Sequence, residues 1–147
     1  MGLFSSKKPT TDHIVKIESA IFQAQTNYKE ASKTDRPDWY VEAYKRAYTS
    51  TQFLVEMQKK YPSFFGKNSP SSNLEKINSE RKTMERKFID RFIISIEKKL
   101  LNYSTVRGKT NNFNKEISKF KYYSGEFLPE TVLYFEEMIK ERFSEYQ

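Results

Sequence analysis

Residues 12–33, DHIVKIESAIFQAQTNYKEASK, carry Ile14, Ile17, Ile21, Ala24, Tyr28 and Ala31 at successive spacings of 3, 4, 3, 4 and 3. A helix turns about 100° per residue, so these six side chains stack along one side of it. A half-buried strand would alternate with a period of two, and this stretch does not. The spacing predicts an amphipathic helix over 12–33 whose apolar seam faces a partner helix, with Thr11 or Asp12 capping its N-terminus.

The next stretch supplies that partner. Thr34-Asp35-Arg36-Pro37 is a short connector, and proline near a helix start gives up no useful N–H. A second helix is expected over 38–61. Tyr40, Tyr44, Ala47, Thr51 and Leu54 line one face of it, widened by Val41, Tyr48 and Val55. So short a connector implies an antiparallel helical hairpin.

Pro62, Gly66, Pro70 and the serines between 62 and 72 read as a loop, with Phe64 and Phe65 folding back on the core. A third and longest helix is expected over 74–102, capped by Ser72 or Asn73. Its wide apolar face (Met84, Phe88, Ile89, Phe92, Ile93, Ile96, Leu100) suits a central position against two or more neighbours. Gly108 reads as a break, after which a fourth helix over 111–123 turns Phe113, Ile117 and Phe120 inward. Gly125 and Pro129 mark another break. A fifth helix over 129–145 buries Leu128, Val132, Phe135, Ile139 and Phe143. The fold expected is all-α: a single-domain antiparallel bundle of about five helices over residues 11–147, behind a flexible leader over 1–10. The opening hairpin does not fit a tetratricopeptide repeat, because its helices of about 22 residues are too long for a 34-residue unit.

Composition agrees with one packed domain. A chain of 147 residues can bury a real core, and its 12 Phe, 10 Tyr and 1 Trp supply apolar area that disordered chains lack. The net charge of +7 favours acidic partners. No cysteine is present, which excludes disulfides, zinc–thiolate sites and thiol nucleophiles and suits a reducing compartment. No apolar run reaches the roughly 20 residues needed to span a bilayer, so a cytoplasmic protein is expected.

Charge is segregated along the C-terminal third. Residues 103–125 hold Arg107, Lys109, Lys115, Lys119 and Lys121 against Glu116 alone, interleaved with Tyr103, Phe113, Phe120, Tyr122 and Tyr123. Residues 126–147 reverse the sign, with Glu126, Glu130, Glu136, Glu137, Glu141 and Glu145 against Lys140 and Arg142. The basic block either grips a polyanion or docks on the acidic block beside it. Lys115, Lys119 and Tyr122, at i, i+4 and i+7, share an outer face; Lys87, Arg91 and Lys98 on the third helix would extend it. Phosphate contacts there would give salt-dependent affinity, and Tyr122 or Tyr123 would stack on single-stranded bases.

Catalytic equipment is sparse, and no catalytic residue, cofactor or metal ligand is assigned. His13 is the only histidine and lies in the first turn of the first helix, away from any obvious nucleophile. Gly108-Lys109-Thr110 echoes the end of a phosphate-binding loop, but Tyr103 occupies the position of the first glycine and no strand precedes it. Glu137 and Glu141 stack at i and i+4, yet a carboxylate-bridged metal bundle needs Glu-x-x-His pairs. Met1-Gly2-Leu3-Phe4-Ser5-Ser6, followed by Lys7 and Lys8, fits the pattern for N-myristoylation at Gly2.

The function expected is therefore a non-enzymatic interaction or adaptor protein that binds another macromolecule, a protein first, through a helix face. The alternative is a nucleic-acid-binding module using Arg107, Lys109, Lys115, Lys119, Lys121 and Tyr122. Membrane association would require acylation of Gly2. A homodimer would follow if later helices left the seam of Ile14, Ile17 and Ile21 and the aromatics of the second helix uncovered.

Overall fold

The structure, a computed structural model, describes residues 8–65 and 71–146, with the side chains of 71–73 left out. The fold is all-α. Five helices follow one another: α1 (Thr11–Lys33), α2 (Pro37–Lys60), α3 (Ser71–Leu100), α4 (Val106–Tyr123) and α5 (Pro129–Arg142). A 3-10 turn, Ser144–Tyr146, closes the described chain, and no strand occurs among the described residues. Two compact units divide the sequence, Met1–Arg81 and Lys82–Gln147, and α3 contributes residues to both.

In the first unit α1 and α2 form the expected antiparallel hairpin. The direction is fixed by which residues meet: Nδ1 of His13, at the start of α1, is hydrogen-bonded to the hydroxyl of Tyr61, just past the end of α2. Further along, Arg46 Nε donates to Asn27 Oδ1 at 3.0 Å, and the Tyr28 and Thr51 hydroxyls lie 3.3 Å apart. Ile17, Ala24, Tyr28, Ala31, Tyr40, Tyr44, Ala47 and Leu54 are buried, as their spacing predicts. Ile14 and Ile21 are half-buried at the edge of the seam. Phe65 is buried and Phe64 half-buried. Arg81 is also buried here, its Nε donating to the Tyr44 hydroxyl at 3.0 Å and its guanidinium lying over the Tyr48 ring.

The second unit runs up, down and up. Lys99 meets Glu116 and Phe88 meets Phe120, so α3 and α4 are antiparallel. Phe120 stacks on Phe135 with centroids 3.5 Å apart while Phe113 meets Phe143, so α4 and α5 are antiparallel too. Consequently α3 and α5 point the same way and are tied by a ladder of polar pairs: Lys82–Glu130 at 2.9 Å, the Tyr134 hydroxyl donating to Asp90 at 2.7 Å, and Arg142–Glu97 at 3.2 Å. Phe88, Phe92, Phe120, Phe127 and Phe135 fill the centre.

Helix boundaries differ from the sequence expectation in instructive places. Thr10, not Thr11 or Asp12, caps α1, accepting the His13 N–H at 3.1 Å. The third helix begins at Ser71, ahead of the expected caps at Ser72 and Asn73. The largest change is at Gly108, which does not break the chain but lies in the first turn of α4. Thr105 caps that helix by accepting the Gly108 N–H at 3.0 Å, and a Cβ at 108 would stand 2.9 Å from the same hydroxyl oxygen. The helix-weakening cost of glycine, about 1 kcal/mol, is thus offset by a cap of comparable worth. At the far end α5 stops at Arg142, and the residues expected to extend it to 145 tighten into the 3-10 turn.

Candidate functional site: the α4 surface and the α4–α5 groove

Every cation of the basic block lies on α4, but they do not form one patch. Lys115, Lys119 and Tyr122 share the outer face, Tyr122 with 72% of its surface exposed. Lys121 is six residues beyond Lys115, about 600° of helical rotation, which leaves it about 120° away around the helix. It faces α5 instead. Arg107 is exposed in the first turn, and Lys109 is half-buried.

Lys119 is engaged locally. Glu116, only 5% exposed, accepts at Oε1 from both Lys99 and Lys119, each at 3.2 Å. Its Oε2 is buried without a hydrogen-bond partner, so this carboxylate relies on two lysines at a single oxygen. The acidic tail does not neutralise the basic block: Glu130 pairs with Lys82 on α3, and among the described residues no ion pair joins the lysines of α4 to the glutamates of α5. Among the described residues the lysines of α4 and the glutamates of α5 are therefore neighbours that form no ion pair.

Sequence reasoning did not find a groove in this unit. Between α4 and α5 lies a groove of ≈ 410 Å³, walled by Phe113, Ile117, Phe120, Val132, Phe135 and Ile139. Asn114, Lys121, Glu136, Lys140 and Tyr146 stand around it. Phe113, Phe120 and Phe135 are themselves buried, whereas Ile117 and Val132 are half-buried and present apolar surface to the opening. The groove follows from side-chain size: phenylalanines at 113, 120, 135 and 143 hold α4 and α5 apart, and shorter Ile117 and Val132 leave the space between them open. In sequence these two look like ordinary core positions, so nothing there signals a groove.

A second feature that the sequence pattern obscured is a buried carboxylate on α3. Glu85 is 0% exposed, and its Oε1 accepts the Leu128 N–H at 2.9 Å. Leu128 is the cap position of α5 and offers no side-chain cap of its own. A residue 43 positions away therefore supplies the acceptor that the local sequence lacks.

His13 is half-buried against Tyr61, whose hydroxyl is hydrogen-bonded to its Nδ1. Among the described residues no cluster of three His, Asp or Glu could hold a metal ion, and no helix is long and apolar enough to cross a membrane. Gly2, the candidate lipidation site, lies outside the described residues. The seam that would drive homodimerisation if uncovered is buried at Ile17, Tyr40 and Tyr44. Comparison with known proteins gave no matching family model, no matching curated protein and no matching solved structure.

Proposed function

We propose that this chain is a non-enzymatic interaction protein that receives an amphipathic helix of another protein in the α4–α5 groove. The observation that carries the reading is the groove itself. An apolar trough between two helices, with polar side chains along its edges, is what helix-in-groove recognition uses: the trough takes apolar anchors at i, i+3 or i+4, and the edges set direction. Lys121 and Lys140 flank this trough with only Glu136 opposing them, so a helix with an acidic border fits best.

The test is photo-cross-linking from inside the groove. A photoreactive side chain at position 132, introduced into the full chain and irradiated in lysate of the native source, is expected to give one discrete protein adduct. Ile117→Lys in the same molecule should abolish it while helical circular dichroism is unchanged. A diffuse set of adducts, or an adduct indifferent to Ile117→Lys, would overturn the reading.

The nucleic-acid alternative draws on the exposed line of Lys115, Lys119 and Tyr122. It is the weaker reading, because Lys119 is held by Glu116 and Lys121 turns away toward the groove. Retention on a labelled oligonucleotide at about 50 mM salt, lost by about 200 mM and abolished by Lys115→Glu with Lys119→Glu, would favour it instead.

A further inference from the structure

The tip joining α3 to α4 combines two properties that rarely coincide by packing alone. Leu101 and Val106 are 81% and 78% exposed, the most exposed large apolar side chains among the described residues. Around them, residues 98–115 contain Lys98, Lys99, Arg107, Lys109 and Lys115 and no acidic residue at all. Exposed aliphatic side chains gain nothing in water, and most of the surface of each of these two faces solvent.

The backbone of this tip is closed upon itself. Asn102 N–H donates to Lys99 O at 3.1 Å and Tyr103 N–H to Leu100 O at 3.2 Å. On the α4 side Gly108 N–H donates to Thr105 Oγ1, and Lys109 N–H to Thr105 O at 3.0 Å. Leu101 and Val106 are therefore displayed from two capped helix ends rather than from a loose loop, and these backbone groups would not need water if the tip left it. Acidic groups of the elements at this end are Glu97, paired with Arg142, Glu116, enclosed by Lys99 and Lys119, and the exposed Glu141 and Glu145 of the C-terminal segment. Among the described residues two of these four are neutralised in place, and the tip keeps a positive balance.

We propose that the α3–α4 tip docks on an anionic lipid surface, Leu101 and Val106 entering the headgroup–acyl boundary while Lys98, Arg107 and Lys109 meet the lipid phosphates. A lipid interface offers both kinds of complementarity at once: hydrocarbon for the aliphatic pair and negative charge for the cations. A nucleic-acid backbone would satisfy only the cations and would leave Leu101 and Val106 in water. The site is separate from the α4–α5 groove and stands or falls independently of it.

The experiment uses the full chain and vesicles of phosphatidylcholine alone or with about 30% phosphatidylserine. Co-sedimentation should be at least about 10-fold stronger with the anionic vesicles, and should fall by about 10-fold or more for Leu101→Asp with Val106→Asp. Because both residues are exposed, the variant should keep its helical circular dichroism. The absence of cysteine permits a second readout: a polarity-sensitive dye on Leu101→Cys should shift to the blue on anionic vesicles, while the same dye on Glu137→Cys should not. Three results would overturn the proposal. They are no vesicle binding at low salt, vesicle binding unaffected by the double aspartate variant, and oligonucleotide binding that exceeds vesicle binding and survives that variant.

Discussion

Replacing Glu85 should cost this protein more than its place on a charged helix suggests. The carboxylate is fully buried and accepts the Leu128 N–H at 2.9 Å, where α5 begins without a side-chain cap. Glu85→Ala removes a charge-assisted hydrogen bond, worth about 1.5–3 kcal/mol, and strands a backbone donor. It also removes a negative group from the positive end of a helix, worth about 0.3–1 kcal/mol and more when buried. A total of about 2–4 kcal/mol is expected for alanine. Glu85→Gln keeps a carbonyl oxygen able to accept the same N–H and loses only the charge, so about 1 kcal/mol is expected. Urea unfolding followed by far-ultraviolet circular dichroism, extrapolated linearly to water, measures both. If alanine costs less than about 1 kcal/mol, or glutamine costs as much as alanine, Glu85 is not acting as the remote cap of α5.

Other expectations are as readily checked. Lys99→Met or Lys119→Met alone should cost under about 1 kcal/mol, since the remaining lysine still neutralises Glu116. The double variant should cost about 2 kcal/mol, more than the sum of the two; that is below the range for fully buried pairs because both lysines are half-exposed. Additive behaviour in the unfolding cycle would contradict the shared-oxygen geometry. Phe135→Ala, which removes the ring stacked on Phe120, should destabilise by about 3–5 kcal/mol, against about 0.5 or less for the exposed Leu133→Ala two residues earlier. The Tyr134 hydroxyl should ionise above the ordinary 10.0, chiefly because it donates to Asp90 and secondarily because burial disfavours the phenolate. Its stabilising effect is then fully present below about pH 10 and lost as pH rises through the raised value. A difference ultraviolet titration of the native chain against Tyr134→Phe should show a late-ionising tyrosine, and Asp90→Asn should move it down.

Much of the fold was legible because helical burial depends on spacing alone. The six residues Ile14 to Ala31 and the seven from Met84 to Leu100 needed only their 3.6-residue period to declare a face. Helix ends were less legible. Thr10, Thr11 and Asp12 are all good caps in adjacent positions, and only the observed backbone angles pick Thr10. Gly108 misleads for a similar reason: its intrinsic cost is local, whereas the Thr105 cap that offsets it depends on geometry three residues away. The basic block was visible as a line of Lys115, Lys119 and Tyr122, but not that Glu116 holds Lys119 together with Lys99, because that pairing depends on how α3 and α4 pack.

The sequence by itself determined the all-α architecture, the five helices and the inward face of each, since period and connector length act within one segment. The tertiary structure alone decided where charges and spaces fall. It set Glu85 at the start of α5, joined Lys99 and Lys119 on one oxygen of Glu116, opened a groove between α4 and α5, and left Leu101 and Val106 uncovered at the tip of the α3–α4 pair. Each of these depends on which helices are neighbours and how far their aromatic side chains hold them apart, and no single segment carries that information.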